Sequence, residues 1–284
     1  VKHPLSGDVL QPRPLFGDAK PTEGSADPRI QLAAWMTSKD NRFFAQVMAN
    51  RVWADLMGRG LVEPVDDIRA TNPASNQELL GALGEEFVRG NFSIKHLIRN
   101  IANSHVYQLS SIANDRNVAD TRNYSRHYRQ RMRAEVLLDA VAAVTGVSER
   151  FTAMPADSSA KQLWTHRVDS QFLDAFGRPD PNQDPPCERT TDSTVVQSLH
   201  LMNAENLYRK VASDAGVVAE LAASKKSDVE VVQHLYLLVY GRQPVDEETK
   251  YAISLFSKEG ASRRQAVEDL MWAMLNTPEF VFQN

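Results

Sequence analysis

The sequence predicts an all-α, multi-helical fold with two packed helical subdomains, long irregular loops and an extended N-terminal arm. Three observations lead to this prediction. Apolar residues recur at the spacing of a helix in most segments, and N-capping residues and stop-glycines divide those segments. No segment shows the alternation of β-branched residues that is typical of a half-buried strand. Apolar residues make up 42% of the 284, which is enough for a hydrophobic core at this length.

Capping residues and stop-glycines place the helices along the chain. The pair Asp27-Pro28 predicts the first helix start, and Gly58 predicts a helix end through the left-handed conformation that glycine tolerates. In the first half, helices are expected at about 28–37, 41–57 and 75–90, with another beginning at Ser93. In the second half, they are expected at about 130–145, 169–176, 192–212, 214–223, 228–240, 245–258 and 262–276.

These segments predict an organisation in four parts. Residues 1–27, rich in Pro, Gly and Asp, form the extended arm, and residues 28–147 form the N-terminal helical subdomain. An irregular connecting segment over 148–190 leads to a C-terminal helical subdomain over 191–284. Because the chain does not begin with Met, we expect a longer parent protein.

Composition and motifs limit the classes of function. The net charge of −4 argues against nucleic-acid binding, and no apolar run reaches the roughly 18–20 residues of a membrane span. The single cysteine, Cys187, excludes a cysteine-based zinc or iron–sulfur site, and no C-x-x-C-H sequence is present for haem attachment. The seven histidines show no metal-binding spacing. We therefore expect no metal and no cofactor in this chain.

Polar residues interrupt two apolar helix segments, which is the most unusual pattern in the sequence. Because buried polar groups need hydrogen-bond partners, two interpretations are open. These side chains bond the backbone of the irregular loops 59–74 and 178–190, or they line a polar pocket where those loops meet. Four residues are the binding candidates on these grounds: Asn50, Arg51, Gln197 and Asn203.

An enzymatic site built on the same loops is one alternative. The acid/base candidates are Asp66, Asp67 and Glu188, and the candidate anion clamps are Arg51, Arg69, Arg178 and Arg189. Such a site suits a hydrolase or an oxidoreductase that acts on a polysaccharide-derived substrate. A separation above roughly 10 Å between Glu188 and the aspartates would exclude a two-carboxylate mechanism.

A dense basic run offers a second alternative. It comprises Arg122, Arg126, His127, Arg129, Arg131 and Arg133, interleaved with Tyr124 and Tyr128. Guanidinium groups suit phosphate, sulfate and carboxylate, so the run predicts a polyanion-binding surface. The other interpretation is that these arginines pair with carboxylates of the same protein.

A series of longer motifs runs through the chain. They include Asn50-Arg-Val-Trp53, Gly58-Arg-Gly-Leu-Val-Glu-Pro-Val-Asp-Asp67, Phe176-Gly-Arg-Pro-Asp180, Cys187-Glu-Arg189, Gln197-Ser-Leu-His-Leu-Met-Asn203 and Leu275-Asn-Thr-Pro-Glu-Phe280. Together they resemble the C-terminal domain of planctomycete cytochrome c-domain proteins, over nearly the whole chain. Many relatives have a second cysteine where this chain has Pro185, which argues against a metal or redox role for that loop.

The resemblance implies a domain of unknown function, with no established activity. Relatives are usually the C-terminal part of large exported proteins and often carry an upstream haem-binding domain. This implies an extracytoplasmic location, periplasmic or secreted, and haem elsewhere in the parent protein. The leading hypothesis is an accessory or binding module. Its expected partners are other domains of the parent protein and a polysaccharide or other polyanion.

Overall fold

The computed structural model describes residues 2–9, 16, 27–152, 154–156, 158–180, 182, 197 and 201–283. Over these residues the secondary structure is helical, apart from isolated bridges and one two-stranded antiparallel ladder that pairs β1 (Gln130–Arg131) with β2 (Phe282–Gln283). The predicted all-α fold is thereby confirmed. Within the described ranges, no helix is both long enough and apolar enough to cross a membrane.

The chain divides into two compact units, Val1–Tyr128 and Arg129–Asn284. This division lies ahead of the predicted connecting segment at 148–190, and it assigns the helix that ends at Thr145 to the C-terminal unit. The physical reason is packing, because the buried face of that helix, including Leu137, Leu138 and Val141, belongs to the C-terminal hydrophobic core.

The described residues of the N-terminal unit form four helices, each with an N-cap that the sequence supplies. They are α1 (Pro28–Met36), α2 (Arg42–Met57), α3 (Gln77–Arg89) and α4 (Ile94–Ala102). Asp27, Asn41, Asn76 and Ser93 cap them through their side chains, so the predicted start of α3 at Ser75 moves by one residue. Gly58 ends α2 at φ 79°, the left-handed conformation expected of it.

The core of the N-terminal unit lies between α2, α3 and α4. It is built on Trp53 and Met57 of α2, Leu80 of α3, and Leu97 and Ile101 of α4, all nearly inaccessible to solvent.

The buried face of α2 does not include the binding candidate Arg51. The helix buries Ala45, Ala49, Trp53 and Met57, whereas Arg51 is exposed. The small alanines lie among the core residues, and this face of α2 is therefore the one that packs most closely.

The described part of the N-terminal arm is not a simple extended segment. Lys2 and Val9 form an isolated antiparallel bridge around a turn, in which the Gly7 amide donates to the His3 carbonyl. Further along, the Phe16 ring packs against Trp35 of α1, whose indole N–H donates to the Phe16 carbonyl at 3.0 Å. The other residues of the arm up to 26 lie outside the described part of the chain.

The other helices whose bounds are given by described residues lie in the C-terminal unit. They are α5 (Ala134–Thr145), α6 (Gln171–Ala175), α7 (Glu205–Val211), α8 (Val217–Ala223), α9 (Asp228–Tyr240), α10 (Asp246–Phe256), α11 (Arg263–Leu275) and α12 (Pro278–Val281), with a 3-10 turn at Ala160–Gln162. The helix predicted from 130 starts at Ala134, because β1 pairs with β2 instead. The helix predicted over 192–212 is interrupted at Ala204 within its described residues.

Helix α11 is the centre of the C-terminal core. It packs against α7, α8, α9, α10 and α12, and it buries residues around most of its circumference, including Val267, Met271 and Leu275. Helix α5 packs against the 3-10 turn, α6, α7 and α8. Residues 163–167, which follow the 3-10 turn, form part of the wall of a surface cavity.

Candidate functional site

The loop 59–74 of the N-terminal unit is fixed by the buried side chain of Asn50. Its Nδ2 donates to the carbonyls of Val62 and Val65 at 2.9 and 2.8 Å, and its Oδ1 accepts from the Val62 amide at 3.1 Å. Because all these bonds go to backbone, the interpretation that Asn50 bonds an irregular loop is confirmed.

Further contacts fix the start of the same loop. The Tyr124 hydroxyl lies 3.0 and 2.9 Å from the carbonyl oxygens of Arg59 and Gly60. A Cβ atom at Gly60 would lie 2.4 Å from the Val62 carbonyl oxygen and 3.0 Å from Asn50 Nδ2. The close approach of Asn50 therefore requires glycine at position 60.

The carboxylates predicted as acid/base groups of this loop are ion-paired with the predicted clamps. Asp66 binds Arg51 through two hydrogen bonds, with Nε at 2.6 Å from Oδ1, and these bonds raise the pKa of Arg51. Asp67 lies 3.0 Å from Arg69. Arg51, Asp66 and Arg69 are exposed to solvent, so these pairs are surface ion pairs of small energetic weight.

The third acid/base candidate, Glu188, lies outside the described residues, as do Arg189 and Cys187. The two-carboxylate pair between Glu188 and the aspartates therefore stays a prediction.

Arg178 is buried in the C-terminal unit and ties the end of α6 to the preceding segment. Its Nε donates to Asp174 at 2.6 Å, and its Nη1 donates to the Val168 carbonyl. Arg178 is also one of the residues that line a cavity of that unit, described next.

A cavity of about 950 Å³ lies in the C-terminal unit and is called the basic cavity below. Its charged lining comprises Arg133, Lys161, Arg167, Arg178 and Glu135, with His166 beside them. Trp164 forms part of its wall, and its side chain is 74% exposed. The remaining lining is Val136, Ala160, Leu163, Thr165, Leu173 and Pro179.

Two elements hold the walls of the basic cavity in place. Helix α5 begins directly after Arg133, and one turn beyond Glu135 it presents Asp139. The Asp139 carboxylate accepts from the Ala160 amide at 2.6 Å and the Lys161 amide at 3.3 Å, and it lies 3.7 Å from Lys161 Nζ. Asp139 therefore fixes the 3-10 turn, and with it the chain that leads to Trp164.

The two binding candidates of the C-terminal unit, Gln197 and Asn203, border different cavities. Gln197 is buried beside a small cavity of about 360 Å³, whereas Asn203 is exposed beside another of about 720 Å³. Both engage in interactions within the protein. The polar pocket predicted where the 59–74 and 178–190 loops meet stays a prediction, because most of the second loop lies outside the described residues.

The basic run is divided between the two units after Tyr128. Arg126 packs over the Tyr128 ring, and Arg131 Nη1 donates to the Phe176 carbonyl at 2.8 Å. Arg133, at the end of the run, is the member that borders the basic cavity. Several residues of the basic run thus contact other groups of the protein, and Arg133 is the residue of the run that borders the basic cavity.

Sequence reasoning did not single out Trp164, Lys161 or Arg167. The signal that was present is a tryptophan within a short basic segment that has no helical periodicity. Such a residue has no apolar face to join and is a candidate for ligand contact. Within the described ranges, no group of three or more His, Cys, Asp and Glu side chains is arranged to hold a metal ion.

The fold and the site define an all-α protein of two helical units, with a basic cavity on the C-terminal one. Residues 28–256 match the family PSD1, described as a protein of unknown function (DUF1553), and the chain belongs to this family. No curated protein and no solved structure matches the sequence.

Proposed function

We propose that this chain is a binding module that holds a segment of an acidic polysaccharide in the basic cavity. The observation that carries the proposal is the combination of basic side chains and one exposed indole around a concave surface of about 950 Å³. This volume lies at the upper end of the range for ligand-binding clefts and is large enough for a segment of a few sugar units.

The charge of the basic cavity favours an anionic ligand. Four cationic side chains, Arg133, Lys161, Arg167 and Arg178, face a single carboxylate, Glu135, among the described lining residues. Arg178 is paired with Asp174 and Lys161 lies near Asp139, and when these two carboxylates and Glu135 are counted against the four cations, an excess of one positive charge remains. Guanidinium groups bind carboxylate and sulfate in bidentate geometry, which suits the acidic groups of such polymers.

Trp164 favours a ligand with ring faces. An indole that is 74% exposed at a cavity wall is costly to leave in water, and it gains contact area when a flat ligand covers it. The C–H face of a sugar ring provides that surface, while its acidic substituents reach the neighbouring cations. A simple inorganic anion would leave the indole uncovered.

The same lining favours binding over hydrolysis. Glycoside hydrolysis ordinarily uses two carboxyl groups on either side of the scissile bond. Glu135 is the one carboxylate among the described residues that line the basic cavity. The enzymatic alternative at Asp66, Asp67 and Glu188 gains no support from the described residues, because both aspartates are paired with arginines.

The cellular context that we propose follows from the sequence motifs. Their resemblance to planctomycete cytochrome c-domain proteins supports a large exported bacterial parent protein with haem in an upstream domain. In that setting the module is extracytoplasmic, where it contacts polysaccharide and the other domains of its parent. A binding module without a cofactor of its own is consistent with this arrangement.

Calorimetric titration with two oligosaccharides tests the proposal. We expect a heparin-derived decasaccharide to bind and a neutral maltodextrin of the same length to bind at least about tenfold more weakly. Replacing Trp164 by Ala should weaken heparin binding by about tenfold or more, since a central aromatic contact is lost. Tyr251→Ala, another exposed aromatic of the C-terminal unit, serves as the control and should leave binding unchanged.

Two double variants test which positively charged residues heparin binding requires. Lys161→Gln with Arg167→Gln, and Arg122→Gln with Arg129→Gln, each remove two exposed positive charges. We expect the first pair to abolish most heparin binding and the second to have little effect at 150 mM salt. If the second pair abolishes binding while the first does not, the polyanion surface is the basic run and the proposed site is wrong.

A further inference from the structure

An ion pair at the end of α6 connects the linings of two cavities of the C-terminal unit. Arg178 is among the residues that line the basic cavity. Its partner Asp174 lines the cavity of about 720 Å³, which is called the second cavity below. Among the described residues, the two cavities have no lining residue in common. The charge of Asp174 can therefore be changed without removing a group from the lining of the basic cavity.

The two partners differ in their exposure to solvent. The Arg178 Nε donates to Asp174 Oδ1 at 2.6 Å, and the Arg178 side chain is 3% exposed while that of Asp174 is 49% exposed. Arg178 also donates from Nη1 to the Val168 carbonyl and from its backbone amide to the Leu173 carbonyl. Arg178 is thus held in place by backbone groups as well as by Asp174.

Burial decides how strongly the charge of Arg178 acts on a ligand. A charge that is shielded from water is weakly screened, so its field extends into the adjoining cavity. The opposite charge of Asp174, in direct contact with the guanidinium, reduces that field. Lys161 is exposed, and water therefore screens its charge more strongly.

Asp139 is the other carboxylate that lies near a cation of the basic cavity, but it has a structural role. It accepts from the Ala160 and Lys161 amides and so fixes the 3-10 turn. Asp174 accepts no printed backbone bond of that kind through its side chain beyond the pair with Arg178. Among these two residues, the charge of Asp174 is therefore the one that can be altered while the wall of the basic cavity is kept.

We propose that Asp174 sets the affinity and the charge selectivity of the basic cavity. Its carboxylate weakens the attraction between Arg178 and an acidic group of the ligand, so removal of this negative charge strengthens anion binding. Asp174 acts through Arg178 and lines a different cavity from the one that holds the ligand. The inference rests on the proposed function, since it concerns an acidic polysaccharide in the basic cavity.

The variant Asp174→Asn tests the inference, because asparagine keeps an oxygen that accepts from Arg178 Nε and removes the charge. Calorimetric titration with the heparin-derived decasaccharide should show binding that is about three- to tenfold tighter than in the unaltered chain. The gain should shrink between about 50 and about 300 mM salt, and the neutral maltodextrin should show no gain. A change in the shape of the cavity would not produce this dependence on salt and ligand charge.

A matched control removes the same charge elsewhere on the second cavity. Glu205 is exposed, lines the second cavity and pairs with Arg209, which is not among the residues that line the basic cavity. Glu205→Gln should change heparin affinity by less than about twofold. Asp174→Ser removes the charge with a different side chain and should reproduce the gain, which guards against a folding defect specific to asparagine.

The outcomes separate this inference from the proposed function. If the unaltered chain does not bind the heparin decasaccharide, the proposed function is wrong and the inference is overturned with it. If the unaltered chain binds and Trp164→Ala weakens binding, but neither Asp174 variant binds more tightly, the inference alone is wrong. An equal gain in Glu205→Gln would also overturn it, because net charge and not the pair with Arg178 would then set the affinity.

Discussion

In the N-terminal unit, the buried polar side chain of Asn50 is used to hold the backbone of an adjacent loop. In the C-terminal unit, polar side chains such as Glu135 and Asn276 border cavities. The two kinds of position look alike in the sequence, since both are polar residues within or directly beside apolar helix segments. The difference shows that a polar residue beside apolar helix positions can fix a loop in one unit and border a cavity in the other.

The largest expected effect is the loss of the Asn50 side chain. Asn50→Ala leaves the Val62 amide and the Val62 and Val65 carbonyls without their buried partner. Each such group costs about 1–3 kcal/mol, so we expect the N-terminal unit to lose about 3 kcal/mol or more. Native-state hydrogen exchange measures the free energy of unfolding of each unit separately. Separate values are needed because the chain forms two compact units.

The matched comparison for this variant is Asn203→Ala in the C-terminal unit. Asn203 is exposed, and its replacement should cost about 1 kcal/mol or less. Equal losses from the two variants would remove the distinction between a loop-holding asparagine and a surface asparagine.

A second variant sharpens the comparison through the backbone instead of the side chain. Gly60→Ala places a Cβ atom against the Val62 carbonyl and Asn50 Nδ2, so we expect a loss of about 2–3 kcal/mol in the N-terminal unit. Gly81→Ala in α3 is the control, because nothing lies within 4 Å of its added Cβ. This control should raise stability by about 0.5–1 kcal/mol, as alanine favours a helix. A loss in both variants would show that Gly60 is not special to the loop.

Local signals in the sequence predicted much of the fold. Gly58, Gly146 and Gly241 were expected as helix ends, and all three adopt positive φ angles of 79°, 72° and 69°. The requirement is local, because glycine reaches this conformation without steric cost. The role of Asn50 toward the 59–74 loop was also predictable, since the loop follows its helix directly.

The remaining features depend on contacts between distant residues. Residues 130–131 fit a helix by local pattern, but they pair with residues 282–283 near the other end of the chain. The basic cavity likewise requires Asp139 to fix the backbone of residues 160–161, about twenty residues away. Spacing along the sequence does not reveal such partners, and for this reason Trp164 was not singled out.

The smallest expected effect is a pH dependence that differs between the two units. Burial lowers the pKa of His127 in the N-terminal unit below its usual 6.5, and its ring packs against Tyr107. The unfolded chain therefore binds a proton as the pH falls through 6.5, before the folded unit does. Stability that is complete above pH 6.5 is consequently lost as the pH falls toward the lower folded-state pKa.

The C-terminal unit provides the contrasting window. The hydrogen bonds from Arg242 lower the pKa of Glu248 below its usual 4.5, so the stability from this pair is complete above pH 4.5 and is lost below it. Urea unfolding is measured at pH 7.5 and at pH 5.0 and is followed by NMR signals from each unit. We expect the lower pH to reduce the free energy of unfolding of the N-terminal unit more than that of the C-terminal unit. The variant His127→Gln should reduce that difference. A similar loss in both units, or a difference that persists in His127→Gln, would show that His127 does not set the acid sensitivity of its unit.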